Sequence, residues 1–357
     1  MRESFAGRTV NNRRVKLILS TEATTRHRLV EVIPEFADRR VLIIGDAIAD
    51  RFVYGNISRV SREAPVFILR HEHTETVPGG AANCAVNVAA LGAKVSLLSV
   101  IGNDEPGQQL KTKLEAAGVN TSMLLVSESW RTTTKERILA GQSHSTKQQV
   151  IRIDYEGSHL EDEGLRESLL EAIRSEIRKY DAVIISDYNY GVVDVSAIEV
   201  IRQTVKTNAL PVLVDSRFRL SSFTGFTAAT PNEDELEQLM GEAIQDQEHL
   251  EESARKLTKA LDTEALLVTR GGQGMMLIER NQDVRHISAV GAAQPVDVTG
   301  AGDTVIATFA LAIASNASFA EAASLANYAG GLVVMKRGTA SVTARELQES
   351  ILSVDSE

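Results

Sequence analysis

The chain is predicted to be an α/β protein of three layers, with helices on both faces of a mostly parallel central sheet and a small lid of extra strands. Three observations predict it. The runs Arg40–Asp46, Val95–Ile101, Ala182–Tyr188 and Val212–Arg217 begin as continuous apolar stretches rather than alternating ones, the pattern of strands covered on both faces. Segments of helical periodicity separate them, which is the β-α-β rhythm of a parallel sheet. Two further stretches, about 52–77 and 130–156, hold strand-forming residues with no helix after them, and these are expected as lid strands inserted into the domain.

Composition narrows the function classes. Of 357 residues, 43% are hydrophobic, enough for a sizeable core. Lys and Arg number 38 against 48 Asp and Glu, a net charge of −10 with no basic patch in the body of the chain, which argues against nucleic acid as a partner. The single cysteine, Cys84, excludes an internal disulfide and fits a reducing, cytoplasmic setting. No apolar run reaches the roughly 18 residues that a membrane span needs. Residues 1–28 have only the short apolar patch Val15–Leu19, too short and too late for a signal peptide, and are expected as a disordered or loosely docked extension before a domain at 29–357.

Taken in order, 29–36 forms a short helix interrupted by Pro34, and the first buried strand ends at Gly45-Asp46, with Asp50 four residues on. Ligands of open α/β sheets bind beyond the carboxyl ends of the strands, so Asp46 and Asp50 are placed to meet one; Asp46 as a cap of the next segment is the structural alternative. His71 and His73 lie on a lid strand with no third ligand at metal spacing. Gly79-Gly80 then opens a helix of small residues ending at Gly92, where close backbone approach and Asn83 suit a polar ligand, and tight packing explains the same residues equally well. Arg137, Arg152 and Asp154 are charges within lid strands, facing either ligand or solvent. The helix 160–179 follows, then the strands ending at Asp187 and Asp215, so that three strands finish in Asp on one rim.

Pro231-Asn232-Glu233-Asp234-Glu235 has the chemistry of a helix start. Asn232 and Glu235, one turn apart, also suit the orientation of waters on a magnesium ion. Residues 265–275 read as strand, Gly-rich turn and second strand, without the GKS or GKT of a P-loop. The most informative stretch is 295–304, where Gly300-Ala301-Gly302-Asp303 stands at the start of an Ala-rich helix. A helix start presents unpaired N–H groups and a partial positive charge to an anion. A carboxylate there serves either as a helix N-cap or as a base beside a phosphoryl group, and the local pattern allows both.

Asp297–Asp303, with Pro78–Asn83, resembles the two signatures of the ribokinase-like (PfkB) carbohydrate kinases, and the likeness extends over about residues 29–352. The resemblance implies a ribokinase-like α/β/α sandwich with a β-strand lid. It implies Asp303 as the base, an anion hole from Gly300, Ala301 and Gly302, and a sugar held by Asp46, Asp50, Gly79, Gly80, Asn83 and Arg152. It implies a nucleotide site of Asn232, Glu235, Thr269, Gly271, Gly274, Asn327 and Arg217, with Asn232 and Glu235 reaching Mg2+ through water. ATP is the implied co-substrate, Mg2+ the cofactor, with a monovalent cation as an optional third. Segments 58–66, 148–154 and 336–339 narrow the likeness to the branch acting on heptose 7-phosphate, on the route to ADP-heptose. Tyr190 stands where that branch carries Lys in Ser-Asp-Tyr-x-Lys-Gly, and Asp215-Ser216-Arg217 replaces its Asp-Pro-Lys; Arg217 keeps a cation of different geometry. The alternatives are a kinase of another sugar, sugar phosphate or nucleoside, and a catalytically silent binding or regulatory relative. No HxGH motif occurs, so a kinase without a nucleotidyltransferase half is expected, and open lid strands favour a homodimer.

Overall fold

A computed structural model of the chain describes residues 26–142, 147–156, 162–206, 209–291 and 294–353. The expected N-terminal extension lies outside the described residues up to 25; its last residues, 26–28, already belong to a helix, 26–32 (α1), and Arg28 pairs with Glu321 at 3.6 Å. Pro34 sits in the first turn of a following 3-10 helix, Ile33–Asp38, where a missing N–H costs nothing.

Among the described residues a nine-stranded sheet forms the middle layer. Its order is β13-β12-β11-β10-β9-β8-β1-β4-β5. The seven strands from β11 to β5 in that order pair in parallel: β1 (Arg40–Gly45), β4 (Lys94–Gly102), β5 (Leu124–Ser127), β8 (Ala182–Asp187), β9 (Val212–Ser216), β10 (Ala228–Ala229) and β11 (Ala265–Thr269). Strands β12 (Met275–Glu279) and β13 (Arg285–Ile287) turn back antiparallel at one edge. Val41, Leu42, Ile43 and Ile44 are all fully buried, alternately in two apolar clusters on opposite faces of the sheet, which is why β1 cannot alternate with polar residues.

One face is covered by α2 (Ala81–Ala90), α8 (Ala301–Ala314), α9 (Phe319–Val333) and α10 (Ala344–Ser353). The other carries α4 (Glu163–Glu176), α5 (Val195–Val205) and α7 (Gln247–Ala260), where Leu169, Ile173, Ile201, Leu250 and Leu257 are buried. Helix α10 has no counterpart in the sequence reading, while the helix start read at 231–235 is present, with Asn232 as the N-cap of α6 (Glu233–Met240).

The lid is a separate four-stranded sheet of order β3-β2-β6-β7, built from β2 (Ala47–Val60), β3 (Phe67–Gly80), β6 (Thr134–Gly141) and β7 (Gln148–Tyr155). Strand β2 pairs with β3 antiparallel and with β6 parallel. It starts one residue after Asp46, so the lid grows directly from the carboxyl end of β1.

Candidate active site

The site lies where the carboxyl ends of β1, β8 and β9 meet the first turns of α2 and α8. Gly300 is the N-cap residue of α8, at φ 76°, a left-handed conformation that favours glycine. Asp303 is therefore the third residue of the helix and not its N-cap, which removes the capping explanation. A Cβ on Gly300 would stand 2.6 Å from Asn83 Nδ2, so the turn and the Asn83 side chain fit together only with glycine there. The Ala301 N–H donates to Val298 O at 3.2 Å. The N–H groups of Gly302 and Asp303 have no backbone acceptor among the described residues, and the space above Gly302 is open. The amides left free at this helix start are thus those of 302 and 303; that of Ala301, expected in an anion hole, is engaged.

Asp303 is 5% exposed. Asn83 Nδ2 donates to its Oδ2 at 2.6 Å, and Tyr188 OH lies 3.5 Å from its Oδ1. Asn83 is held in turn by Asn87, whose Nδ2 donates to Asn83 Oδ1 at 3.2 Å, while Thr304 Oγ1 donates to Asn87 Oδ1 at 2.7 Å. This chain orients one oxygen of Asp303, and the other has only the Tyr188 hydroxyl beside it among the described residues. Burial raises the Asp303 carboxyl to about 7; the Asn83 hydrogen bond opposes this and the Asp50 charge adds to it.

The three strand-terminal carboxylates prove unlike one another. Asp46 accepts three backbone N–H groups, from Tyr188 at 2.8 Å, Tyr190 at 3.1 Å and Val192 at 3.1 Å. It is 1% exposed, and burial, with the nearby Asp187, lifts it to about 6 against the pull of those amides. Asp46, expected to hold a ligand, accepts these amides of the 188–192 loop on both oxygens and so clamps that loop. Asp187 is likewise saturated, by Ser216 Oγ at 2.7 Å and by Arg219. Asp215 is the open one. No side-chain hydrogen bond or ion pair involves it among the described residues, and burial, then the charges of Glu235 and Asp303, push it well above the usual carboxylate range.

On the lid side, Asp50 is 7% exposed and paired with Arg137. A Cβ on Gly79 would meet Asp50 Oδ2 at 2.3 Å, and one on Gly80, at φ 56°, would meet Asp46 O at 2.6 Å. At Gly80 the approach is to backbone and requires glycine; at Gly79 it is to the end of a side chain that can shift. Arg152 is exposed and chelates Asp154 on its own strand, at 2.8 Å and 2.9 Å.

Across the rim, Asn232 and Glu235 form a reciprocal capping box, Glu235 N to Asn232 Oδ1 at 2.8 Å and Asn232 N to Glu235 Oε2 at 3.0 Å. Thr269 N donates to Pro231 O at 3.0 Å, bringing the end of β11 beside this box, and Gly271 faces open space. Two residues expected at a nucleotide have structural contacts of their own. A Cβ on Gly274 would meet Ile287 O at 2.0 Å, so Gly274 is there for backbone packing. Asn327 Nδ2 donates to Ser288 O at 2.7 Å and ties α9 to the strand beside it. Arg217 is exposed beside Asp215, with no ion pair among the described residues. Tyr188, Asp215 and Lys135 belong to the site without having been singled out for it; Asp215 alone carried a signal, as the third strand-terminal Asp.

A buried carboxylate of raised affinity for protons, open amides at a helix start and a charged lid define a phosphotransferase acting on a hydroxyl. Residues 38–345 match the model of the pfkB family carbohydrate kinases, and the chain belongs to that family, a sugar kinase with an alcohol group as acceptor. Among curated proteins it is 39% identical over 317 residues to the bifunctional protein HldE of Desulfatibacillum aliphaticivorans, a match covering 88% of this chain and 64% of that one. It is 42% identical over 316 residues to HldE of Coxiella burnetii, covering 87% and 63%. The chain thus spans about two thirds of the length of these relatives. The ribokinase of Arabidopsis thaliana, solved with ribose and ATP, superposes with a TM-score of 0.68 at 21% identity, covering 88% of this chain and 98% of that one. Phosphofructokinase-2 of Escherichia coli, solved with substrates and products, gives 0.71 at 18%, covering 89% and 99%. The ribokinase-like fold is shared with both.

Proposed function

We propose that this protein transfers the γ-phosphoryl group of ATP to the anomeric hydroxyl of D-glycero-D-manno-heptose 7-phosphate. The observation that carries the reading is Asp303, buried, lifted to about 7, and held by Asn83 one residue beyond the open amide of Gly302. A group of that proton affinity takes a proton from a hydroxyl near neutral pH. The acceptor oxygen bonds to the γ-phosphorus as the bond to the β,γ-bridging oxygen breaks; the hydroxyl proton passes to Asp303 Oδ1, and ADP leaves. The amides of Gly302 and Asp303 receive the negative charge on the migrating group. Asp50, with Gly79 and Gly80 holding the backbone close, faces the sugar.

Open space at Gly271 and Gly302 leaves room for the nucleotide, with Arg217 and Thr269 beside it. Asp215 and Glu235, neither paired with a cation among the described residues, suit Mg2+; no group of three His, Cys, Asp or Glu side chains there is close enough to hold it directly, which favours contact through water and nucleotide phosphates. Magnesium bound there would supply charge neutralisation on the phosphates. The same reading includes activation by a monovalent cation, tested by exchanging potassium for choline, and a cytoplasmic setting, in keeping with one buried cysteine. No helix among the described residues is long and apolar enough to cross a membrane.

Kinship to HldE proteins at about 40% identity supports the heptose phosphate over other acceptors. ATP consumption against a panel of sugars, sugar phosphates and nucleosides tests it. Fastest turnover with an unphosphorylated sugar or a nucleoside would replace the substrate, and nucleotide binding without any turnover would favour a silent relative. The lid also exposes Val60, Val66, Phe67 and Ile151, each more than half exposed, an apolar surface that supports a homodimer through the lid. Sedimentation of Phe67→Glu beside the native chain checks it.

A further inference from the structure

Lys135 on β6 faces the site from the lid. Its Cα partners are Asp50 on one side and Asp154 on the other, so cross-strand register puts a carboxylate beside it in both directions. Each of those carboxylates is taken by an arginine, Asp50 by Arg137 and Asp154 by Arg152. Lys135 is left with no ion pair among the described residues. Its Nζ instead stands 5.2 Å from the Tyr188 ring centroid and 5.8 Å from that of Tyr190. Arg217 is a second cation on this rim without an ion pair. The mouth of the site thus holds two cations without an ion pair among the described residues, Lys135 from the lid and Arg217 from the end of β9, the second beside Asp215, while the two carboxylates flanking Lys135 on the lid are already neutralised.

Burial pushes Lys135 below its ordinary range, Asp50 and Asp154 oppose that, and Arg217 and Arg152 reinforce it. A half-buried ammonium without a carboxylate is costly unless something anionic arrives.

Resting on the sugar-phosphate reading above, we propose that Lys135 is a specificity-determining residue, the cation that meets the phosphate carried by the acceptor sugar. The Tyr188 and Tyr190 rings hold it in place until that phosphate binds. The nucleotide's phosphates share the same chemistry, and the experiment separates the two sources.

The native protein is first assayed with heptose 7-phosphate and with the unphosphorylated heptose. If it does not prefer the phosphorylated sugar, the substrate reading fails, and the proposal with it. Given that preference, Lys135→Gln is expected to raise KM for the phosphorylated acceptor about 10- to 100-fold, leave KM for ATP within about twofold, and erase the preference between the two sugars. Because Nζ lies over the Tyr190 ring, a lysine introduced as Tyr190→Lys reaches the same space, and Tyr190→Lys in the Lys135→Gln background is expected to restore part of the preference. An unchanged preference in Lys135→Gln overturns the proposal alone. A rise in KM for ATP in place of that for the acceptor overturns it too, by giving the lysine to the nucleotide, as does an effect confined to the pH profile through Asp303.

Discussion

The central sheet and the lid meet at one site but are held together differently. At the end of the sheet, buried polar groups have fixed partners: Asp46 takes three backbone amides, Asn83 and Asn87 are locked side chain to side chain against Asp303 and Thr304 of α8, and Asp187 is filled by Ser216 Oγ and Arg219. On the lid, charges are matched by side chains, across strands for Asp50 with Arg137 and Arg51 with Glu136 at 3.4 Å, and along one strand for Asp154 with Arg152. Backbone clamps set positions and resist change of ligand. Side-chain pairs can exchange partners when a charged substrate arrives. Under the proposed function, this contrast gives the chemistry to the sheet and the choice of acceptor to the lid.

The sharpest way to break that division is Asp303→Asn. It is expected to lower kcat by about 10²-fold or more while the fold is retained, since Asn keeps an acceptor for Asn83. Retention of native turnover would remove the sheet side from the chemistry. Next is Asp46→Asn, which presents an N–H to amides that need an acceptor. A loss of about 2 kcal/mol in denaturant unfolding is expected. An unchanged midpoint would show that the clamp is not structural.

Gly79→Ala addresses the joint between the two regions. The new Cβ displaces the Asp50 carboxylate, which stands at the end of a side chain and can move. An increase of about tenfold in acceptor KM with kcat preserved is expected, and a fall in kcat alone would place Asp50 with the chemistry instead.

The smallest effect is on pH. Asp303 must lose its proton to act, so kcat/KM of the native protein is expected to rise through about pH 7. Asn83→Ala removes a hydrogen bond that favours the carboxylate and moves this limb alkaline. The same raised proton affinity acts on stability. The folded state holds the Asp303 proton more tightly than the unfolded chain does, so its contribution is present in acid and lost as pH rises toward 7. The melting temperature of Asp303→Asn, measured from pH 4 to 8, should gain on the native protein across that window. A constant difference would contradict the raised affinity.

What could be read from the sequence follows from how local the physics is. Strand β1 announces itself because all four of its apolar residues are buried. The α8 start is legible because Gly300 must adopt φ 76° and its turn is written in consecutive residues. Asp46 was legible as a rim residue but not as a clamp, because the amides that fill it lie more than 140 residues further along. Gly274 and Asn327 look like ligand residues for the same reason, since their partners at Ile287 and Ser288 come from other elements. Lys135 gives no local signal at all. Only the register of β6 against β2 and β7 shows that both neighbouring carboxylates are already claimed.

The root of β2 has a mechanical consequence. Asp46 N donates to Ser186 O at 3.0 Å, and Ala47 N to Ser99 Oγ at 3.1 Å, so the strand leaves the sheet with its first residues fastened on both sides. The register against β3 slips only further out, between Tyr54 and Gly55 and between Ile57 and Arg59. Irregular pairing bends a strand more readily than regular pairing does. The points where this lid sheet can bend most readily thus lie in its distal half, and the stretch that carries Asp50 beside Gly79 belongs to the regularly paired, anchored part.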